Sequence, residues 1–188
     1  VAAPKDFEEL EQMLVFASAY NKPIAIRYPR GSQSDEIKFD KHKKIEQGKV
    51  EVIQQNSDAK LTIIAIGKMV ARAVQVSNIL KEKGIETDII NTRFLNFEND
   101  KKVLESIEKT KNVVTIEDGI NEGGLGSNVQ NYIFNNGLKG VNIKIFGYPK
   151  KFIEHGMVNQ LEKEYGLDKD SIANKIQDNL NEKITSGS

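Results

Sequence analysis

Arg27 and Arg30 stand three residues apart in Pro23-Ile-Ala-Ile-Arg-Tyr-Pro-Arg-Gly31, and an arginine delivered at the end of a strand suits a phosphate or a carboxylate. The guanidinium keeps its charge and offers five donors in a planar fork. Ile24 and Ile26 favour a strand and Pro29 cannot continue a central ladder, so 23–28 reads as a short buried strand whose exit carries Arg30. Ligands of open α/β sheets gather at that carboxyl edge. An arginine that closes a surface turn or pairs with a carboxylate is the more ordinary case, and this stretch taken alone favours it.

Other residues could also do chemistry. Glu117 and Asp118 are adjacent carboxylates at an expected strand exit, able to hold a cation or act as acid and base. More often such a pair caps the next helix or makes surface ion pairs. Glu122-Gly-Gly-Leu-Gly-Ser127 follows a strand and opens a helix, and the amides of such a turn can hold an anion. Val129 stands where a dinucleotide fingerprint needs its third small residue, and the turn does not follow the first strand, so a packing turn is the better reading. Arg93 falls near the same sheet edge, where a salt bridge, for instance with Glu117, is the ordinary role. His155 before a helix reads as a cap or packing residue. No nucleophile–base pair, P-loop or Cys-x-x-Cys is present.

The elements that must position these residues follow from periodicity. Asp6 and Glu9 make a capping-box-like start, and Phe7, Leu10, Leu14 and Ala17 share a helical face over 6–20. Gly31 to about Lys44 is polar and aperiodic, a linker. Val50–Ile53 is a short strand, and Leu61–Ile66 a continuous apolar strand of the fully buried type. A helix with Met69, Ala73, Val76 and Leu80 on one face stops at Gly84. Strands at 85–90, 112–116 and 141–146 alternate with helices around Val103–Ile107 and from the glycine turn to about Asn136. Two helices near 157–165 and 169–183 close the chain. The alternation implies right-handed crossovers and a mostly parallel sheet with helices on both faces. The connection from 50–53 to 61–66 is too short for a crossover helix, so the first strand is expected to run antiparallel.

Composition excludes several classes. Lys+Arg and Asp+Glu balance at 27 each, which gives no electrostatic reason to expect nucleic acid or an anionic membrane. There is no cysteine, so disulfide and thiol chemistry are excluded, and a cytoplasmic, reducing location is expected. The only histidines, His42 and His155, lie far apart, against a structural zinc site. The run Leu61–Ile66 is far too short to span a bilayer. The chain begins at Val1 and ends in Thr-Ser-Gly-Ser, and both ends look like those of a fragment.

Taken together, Ala25-Ile-Arg-Tyr-Pro-Arg-Gly31, Ala65-Ile-Gly-Lys-Met69, Asn91-Thr-Arg-Phe94, Glu117-Asp-Gly119 with Glu122-Gly-Gly-Leu-Gly-Ser127, and Phe152-Ile-Glu-His-Gly156 resemble the 1-deoxy-D-xylulose-5-phosphate synthase family. The motifs occur in that family's order over nearly the whole chain, and they match its carboxyl-terminal third. The resemblance implies a three-layer α/β/α fold. Its mixed sheet would have five strands, mostly parallel, with 50–53 at one edge beside 85–90. This transketolase C-terminal-like domain would occupy 41–188. Residues 1–40 would be the helix–strand tail of a pyrimidine-binding domain plus a linker. It implies a homodimeric transferase that condenses pyruvate with glyceraldehyde 3-phosphate, with thiamine diphosphate and magnesium as cofactors, serving isoprenoid, thiamine and pyridoxal synthesis. By the resemblance Arg30 grips the phosphate of the acceptor, while Arg27 and Tyr28 are structural.

The family's Gly-Asp-Gly…Asn magnesium motif, its active-site histidines and the glutamate that activates the aminopyrimidine would all lie upstream. The fragment alone is therefore expected to be inactive and to bind neither cofactor. Arg93-Phe-Leu-Asn-Phe-Glu-Asn99 departs from the family's usual Arg-Phe-x-Lys-Pro-Leu-Asp at Asn96 and Phe97, which puts the local turn in doubt. A fragment of a 2-oxoacid dehydrogenase subunit or of a transketolase, acting as a dimerisation domain, is the nearest competing reading.

Overall fold

A computed structural model describes residues 1–29, 36–39, 44–97 and 100–186. The first helix, α1 (Phe7–Ala19), starts where Asp6 leaves extended backbone and accepts a hydrogen bond from Glu9 N at 2.7 Å. Glu9 also reaches back past the cap. Its carboxylate accepts from Lys5 N at 2.7 Å, one residue earlier, and is fully buried.

The strand expected over 23–28 is not a ladder. Ile26 alone makes an isolated parallel bridge to Ala2, with Ala2 N donating to Ala25 O and Arg27 N to Ala2 O, both at 2.8 Å. Ile24 and Ile26 are only half-buried, and Arg27, Tyr28 and Pro29 are exposed. Pro23 and Pro29 bracket the stretch and lack an N–H, and its neighbour is a short run of chain rather than the central sheet.

The sheet has five strands, β1 (Glu51–Gln54), β2 (Leu61–Ala65), β3 (Thr87–Asn91), β4 (Asn112–Ile120) and β5 (Asn142–Tyr148), in the order β1-β3-β2-β4-β5. All neighbours are parallel except edge strand β1, which runs antiparallel to β3. This is the mixed α/β architecture the alternating pattern implies, with β1 at the edge beside β3, where the family resemblance puts it.

Helices α2 (Met69–Glu82) and α6 (Lys169–Ser186) cover one face, and α3 (Lys101–Thr110) and α4 (Leu125–Asn135) cover the other; α5 is Val158–Glu164. Alternation along the strands divides the core. Leu61, Ile63 and Ala65 pack with Met69, Ala73, Val76 and Leu80 of α2 and Ile172 and Ile176 of α6. Ile64 and Ile90 face Val103 and Ile107 of α3 and Leu125 and Val129 of α4. Each fully buried Leu or Ile contributes roughly 1.5–3 kcal/mol relative to exposure. Gly84 ends α2 at φ 76°, a conformation that glycine adopts without strain.

β4 runs four residues beyond the expected end at 116. After an irregularity its Ile120 pairs with Tyr148, and Asn121 N donates to Tyr148 O at 2.8 Å. Glu117 and Asp118 therefore lie inside a strand and not at its exit. Among the described residues no helix is long and apolar enough to cross a membrane.

Candidate functional site at the carboxyl edge of the sheet

The chain crosses the carboxyl ends of β2, β3 and β4 with residues 1–10 and 25–29. Gly67, at φ 64° just past β2, lets Ala3 approach: a Cβ there would stand 3.3 Å from Ala3 Cβ. Ala3 N donates to Arg93 O at 2.9 Å, and Leu95 N to Val1 O at 2.9 Å. Three groups of polar side chains meet at this edge.

The first is a buried ion network. Arg93 Nε donates to Glu9 Oε1 at 2.8 Å, and its Nη2 lies 3.4 Å from Glu51 Oε2. Lys5 Nζ reaches Glu9 Oε1 at 3.2 Å and Glu51 Oε2 at 2.7 Å. Asn91 Nδ2 donates to Glu9 Oε1 at 3.1 Å. Arg93 sits at φ 58°, with its N–H donating to Asn91 Oδ1 at 3.0 Å, which holds the turn. Two cations, two carboxylates and an amide thus neutralise one another away from water, as buried charges require. Burial works to raise the Glu51 carboxyl, but the hydrogen bond and charge of Lys5, with Arg93 and Asn91, outweigh it and hold it below the usual carboxylate range. The expected Arg93–Glu117 bridge does not form, because α1 brings Glu9 against Arg93.

The second group surrounds Glu117, which is 4% exposed. Its Oε1 accepts from Gly126 N at 3.1 Å, and the Leu125 amide stands close enough to favour the charged carboxylate. Burial pushes this carboxyl above its usual range, against the pull of those amides and of the Arg27 charge. The glycine turn is a packing turn, as expected: a Cβ on Gly126 would come 2.6 Å from Ile145 Cγ2, and one on Gly124 would overlap the Glu117 carboxylate. The anion those amides bind is the chain's own.

The third group lines a cleft of about 730 Å³ between residues 4–10, α2 and α5. Lys68 Nζ lies 3.2 Å from Asp118 Oδ2 and 3.1 Å from Glu162 Oε1, and Arg72 Nη2 lies 2.7 Å from Glu162 Oε2. Burial, reinforced by the Asp118 and Glu162 charges, pushes the Tyr148 hydroxyl up to about 12, so it stays protonated near neutral pH. Tyr28 and Pro29 form part of the cleft wall. Arg30, the residue singled out for phosphate, lies outside the described residues, as does His42. His155 is solvent-exposed between β5 and α5. Among the described residues no group of three His, Cys, Asp or Glu side chains could hold a metal.

Sequence reasoning missed Glu9, Glu51, Lys68, Arg72 and Glu162 as members of these groups. A signal existed for two of them: Lys68 and Arg72 are four apart at the start of a helix and so share its face.

Residues 48–172 match the family described as the C-terminal domain of transketolase. Among curated relatives, the chain is 42% identical over 180 residues to the 1-deoxy-D-xylulose-5-phosphate synthase of Clostridium botulinum, covering 94% of this chain and 28% of the relative. It is 38% identical over 178 residues to that of Clostridium tetani, again 94% of this chain and 28% of the relative. The synthase of Halothermothrix orenii is 32% identical over the whole chain, which is 29% of that relative. The chain thus spans less than a third of the length of these relatives. Among solved structures, a chain described as a split gene transketolase, inactive beta4 tetramer, superposes with TM-score 0.82 at 25% identity, over 94% of this chain and 56% of that one. A transketolase from Campylobacter jejuni shares the fold at TM-score 0.59 and 18% identity, over 94% of this chain and 26% of that one.

Proposed function

The chain belongs to the transketolase C-terminal domain family, and from that premise we propose that it is the carboxyl-terminal part of a homodimeric 1-deoxy-D-xylulose-5-phosphate synthase. In that enzyme pyruvate and glyceraldehyde 3-phosphate are joined with loss of carbon dioxide. Identities of 32–42% to relatives of that name, against 25% to the split transketolase, favour the synthase over the other members of the superfamily.

One observation shapes the role of this part. The buried or half-buried carboxylates at the sheet edge, Glu9, Glu51, Glu117, Asp118 and Glu162, are all engaged by the chain's own cations or amides. Such contacts hold the edge together. The described residues do not fit thiamine diphosphate and its magnesium: no trio of ligands converges, and Glu117 fills the amide cradle that could take a diphosphate oxygen. Both groups would be held by the rest of the enzyme. This part contributes the acceptor clamp. Arg27 is tied to Ala2 and Asp118 at the sheet edge, and Arg30, three residues on, grips the acceptor's phosphate.

Steady-state kinetics of Arg30→Ala in the complete enzyme tests this. A charge-assisted hydrogen bond to phosphate is worth roughly 1.5–3 kcal/mol, so kcat/KM for the phosphorylated acceptor should fall about ten- to a hundredfold. The KM for pyruvate should stay put. Arg30→Lys should recover only part, because an ammonium keeps the charge and loses the fork. Equal increases in both KM values would make Arg30 a structural residue.

A further inference from the structure

We propose that the cavity walled by Arg27, Glu117, Gly119 and Gly124 is a binding site for a small apolar α-amino acid, its carboxylate on Arg27 and its ammonium on Glu117. Arg30 takes no part in it. Both charged groups border the cavity, yet no hydrogen bond or ion pair joins them. Arg27 Nη1 donates to Asp118 O at 2.6 Å, and Arg27 N donates to Ala2 O at 2.8 Å, which holds the residue at both ends. Arg27 is otherwise exposed, and among the described residues its other guanidinium donors are open.

Glu117 is the buried half of the site. It gives Oε1 to Gly126 N at 3.1 Å, while Oε2 accepts no hydrogen bond from the described residues. An unmet acceptor on a buried carboxyl is costly unless a donor comes to it. Two glycines keep the place of that donor open. A Cβ on Gly119 would stand 3.1 Å from Glu117 Oε2 and 3.5 Å from Arg27 Nη1, so a small group lying there touches both. A Cβ on Gly124 would overlap the same carboxylate. Charge and size then select the ligand. A guanidinium and a carboxylate that do not pair with each other are matched charge for charge by a zwitterion, and the site stays neutral. A simple anion leaves the Glu117 charge unmet, and a simple cation leaves that of Arg27. Ala3, Ile66, Leu95 and Ile120 make the rest of the wall apolar, which suits a short hydrocarbon side chain. The cavity, about 220 Å³, falls below the roughly 300–1,000 Å³ of sites for drug-sized ligands, so it takes a smaller molecule.

Titration of this chain with L-alanine, followed by the backbone amide signals of Arg27, Gly119, Gly123 and Gly124 in two-dimensional NMR, decides it. Propionate, which lacks the ammonium, and L-alaninamide, which lacks the carboxylate, are the comparison ligands. L-Alanine should shift these amides saturably with a Kd of about a millimolar, ordinary for so few atoms. Each comparison ligand should bind about tenfold more weakly, because it loses one charge-assisted contact. Glu117→Gln keeps the shape and removes the charge. It should weaken L-alanine about tenfold and leave propionate unchanged. Arg27→Met should weaken L-alanine and propionate alike and leave L-alaninamide unchanged. If Glu117→Gln fails to fold, Arg27→Met, at an exposed position, decides alone by the split between propionate and L-alaninamide. No saturable shift at ten times the expected Kd, shifts that map elsewhere on the chain, or equal binding of all three ligands would each overturn the inference.

Discussion

Glu9 and Arg93 are separated by 84 positions in the chain, yet their side chains meet at 2.8 Å with almost no exposure to solvent. The contact fastens α1 to the carboxyl end of β3. Because Lys5, Glu51 and Asn91 complete it, removing any one carboxylate leaves buried cations without compensation.

Glu9→Ala should therefore destabilise the fold by about 3–5 kcal/mol, the usual cost of breaking a buried pair by deleting one partner. Glu9→Gln should cost less, since it keeps an acceptor for Lys5 N. Urea unfolding measures both. A change below about 0.5 kcal/mol, the level of an ordinary surface substitution, would mean that the network contributes nothing net.

Two glutamates should give the fold opposite pH dependences. Glu51 is held below the usual carboxylate range, so its contribution is present above that range and is lost as pH falls through its lowered value. Glu117 is raised, so its contribution is complete below the usual range and is lost as pH rises through its raised value. Wild-type stability minus that of Glu51→Gln should rise with pH from acid toward neutral. The same difference for Glu117→Gln should fall. Melting curves from pH 3 to 7 distinguish the two, and parallel slopes would contradict both assignments.

Gly126→Ala should destabilise by about 1–3 kcal/mol, because the new methyl would come 2.6 Å from Ile145 Cγ2 and must force a shift. Ile145→Val should relieve part of the cost in the double variant. Independent, additive effects would show that the close approach is not what fixes the glycine.

Titration calorimetry of this chain with thiamine diphosphate and magnesium together should give no saturable heat at micromolar cofactor. The described residues offer no converging ligand trio, and the amide cradle is filled by Glu117. A saturable signal would relocate part of the cofactor site into this chain.

Much of the fold was legible because it is local or periodic. The uninterrupted apolar run Leu61–Ile66 announces a strand buried on both faces, and Met69, Ala73, Val76 and Leu80 announce the helix that covers it. The short β1–β2 link implied an antiparallel strand, and the family resemblance put it at the edge beside β3. The stretch 23–28 was misread because strand propensity says nothing about which partner is available. It found only Ala2 and its neighbours, between two prolines without donors. β4 was drawn too short because the polar Glu117-Asp118-Gly119 looks like an exit. Ladder pairing with β5 carries it through.

The sequence by itself determined the layered architecture, the mostly parallel sheet and the family, since these rest on hydrophobic period, connection length and ordered motifs; the order of the strands came with the fold. It also narrowed the chemistry by lacking cysteine and offering only two histidines. Tertiary structure alone decided which charges meet. Glu9 meets Arg93 across 84 positions, Lys68 meets Glu162 across 94, and Glu117 meets the Gly126 amide across nine. A charged residue has the same local signature on a solvated surface as in a buried pair. Which of the two it becomes depends on the low-dielectric space that other elements enclose around it, and that space exists only once the chain has folded.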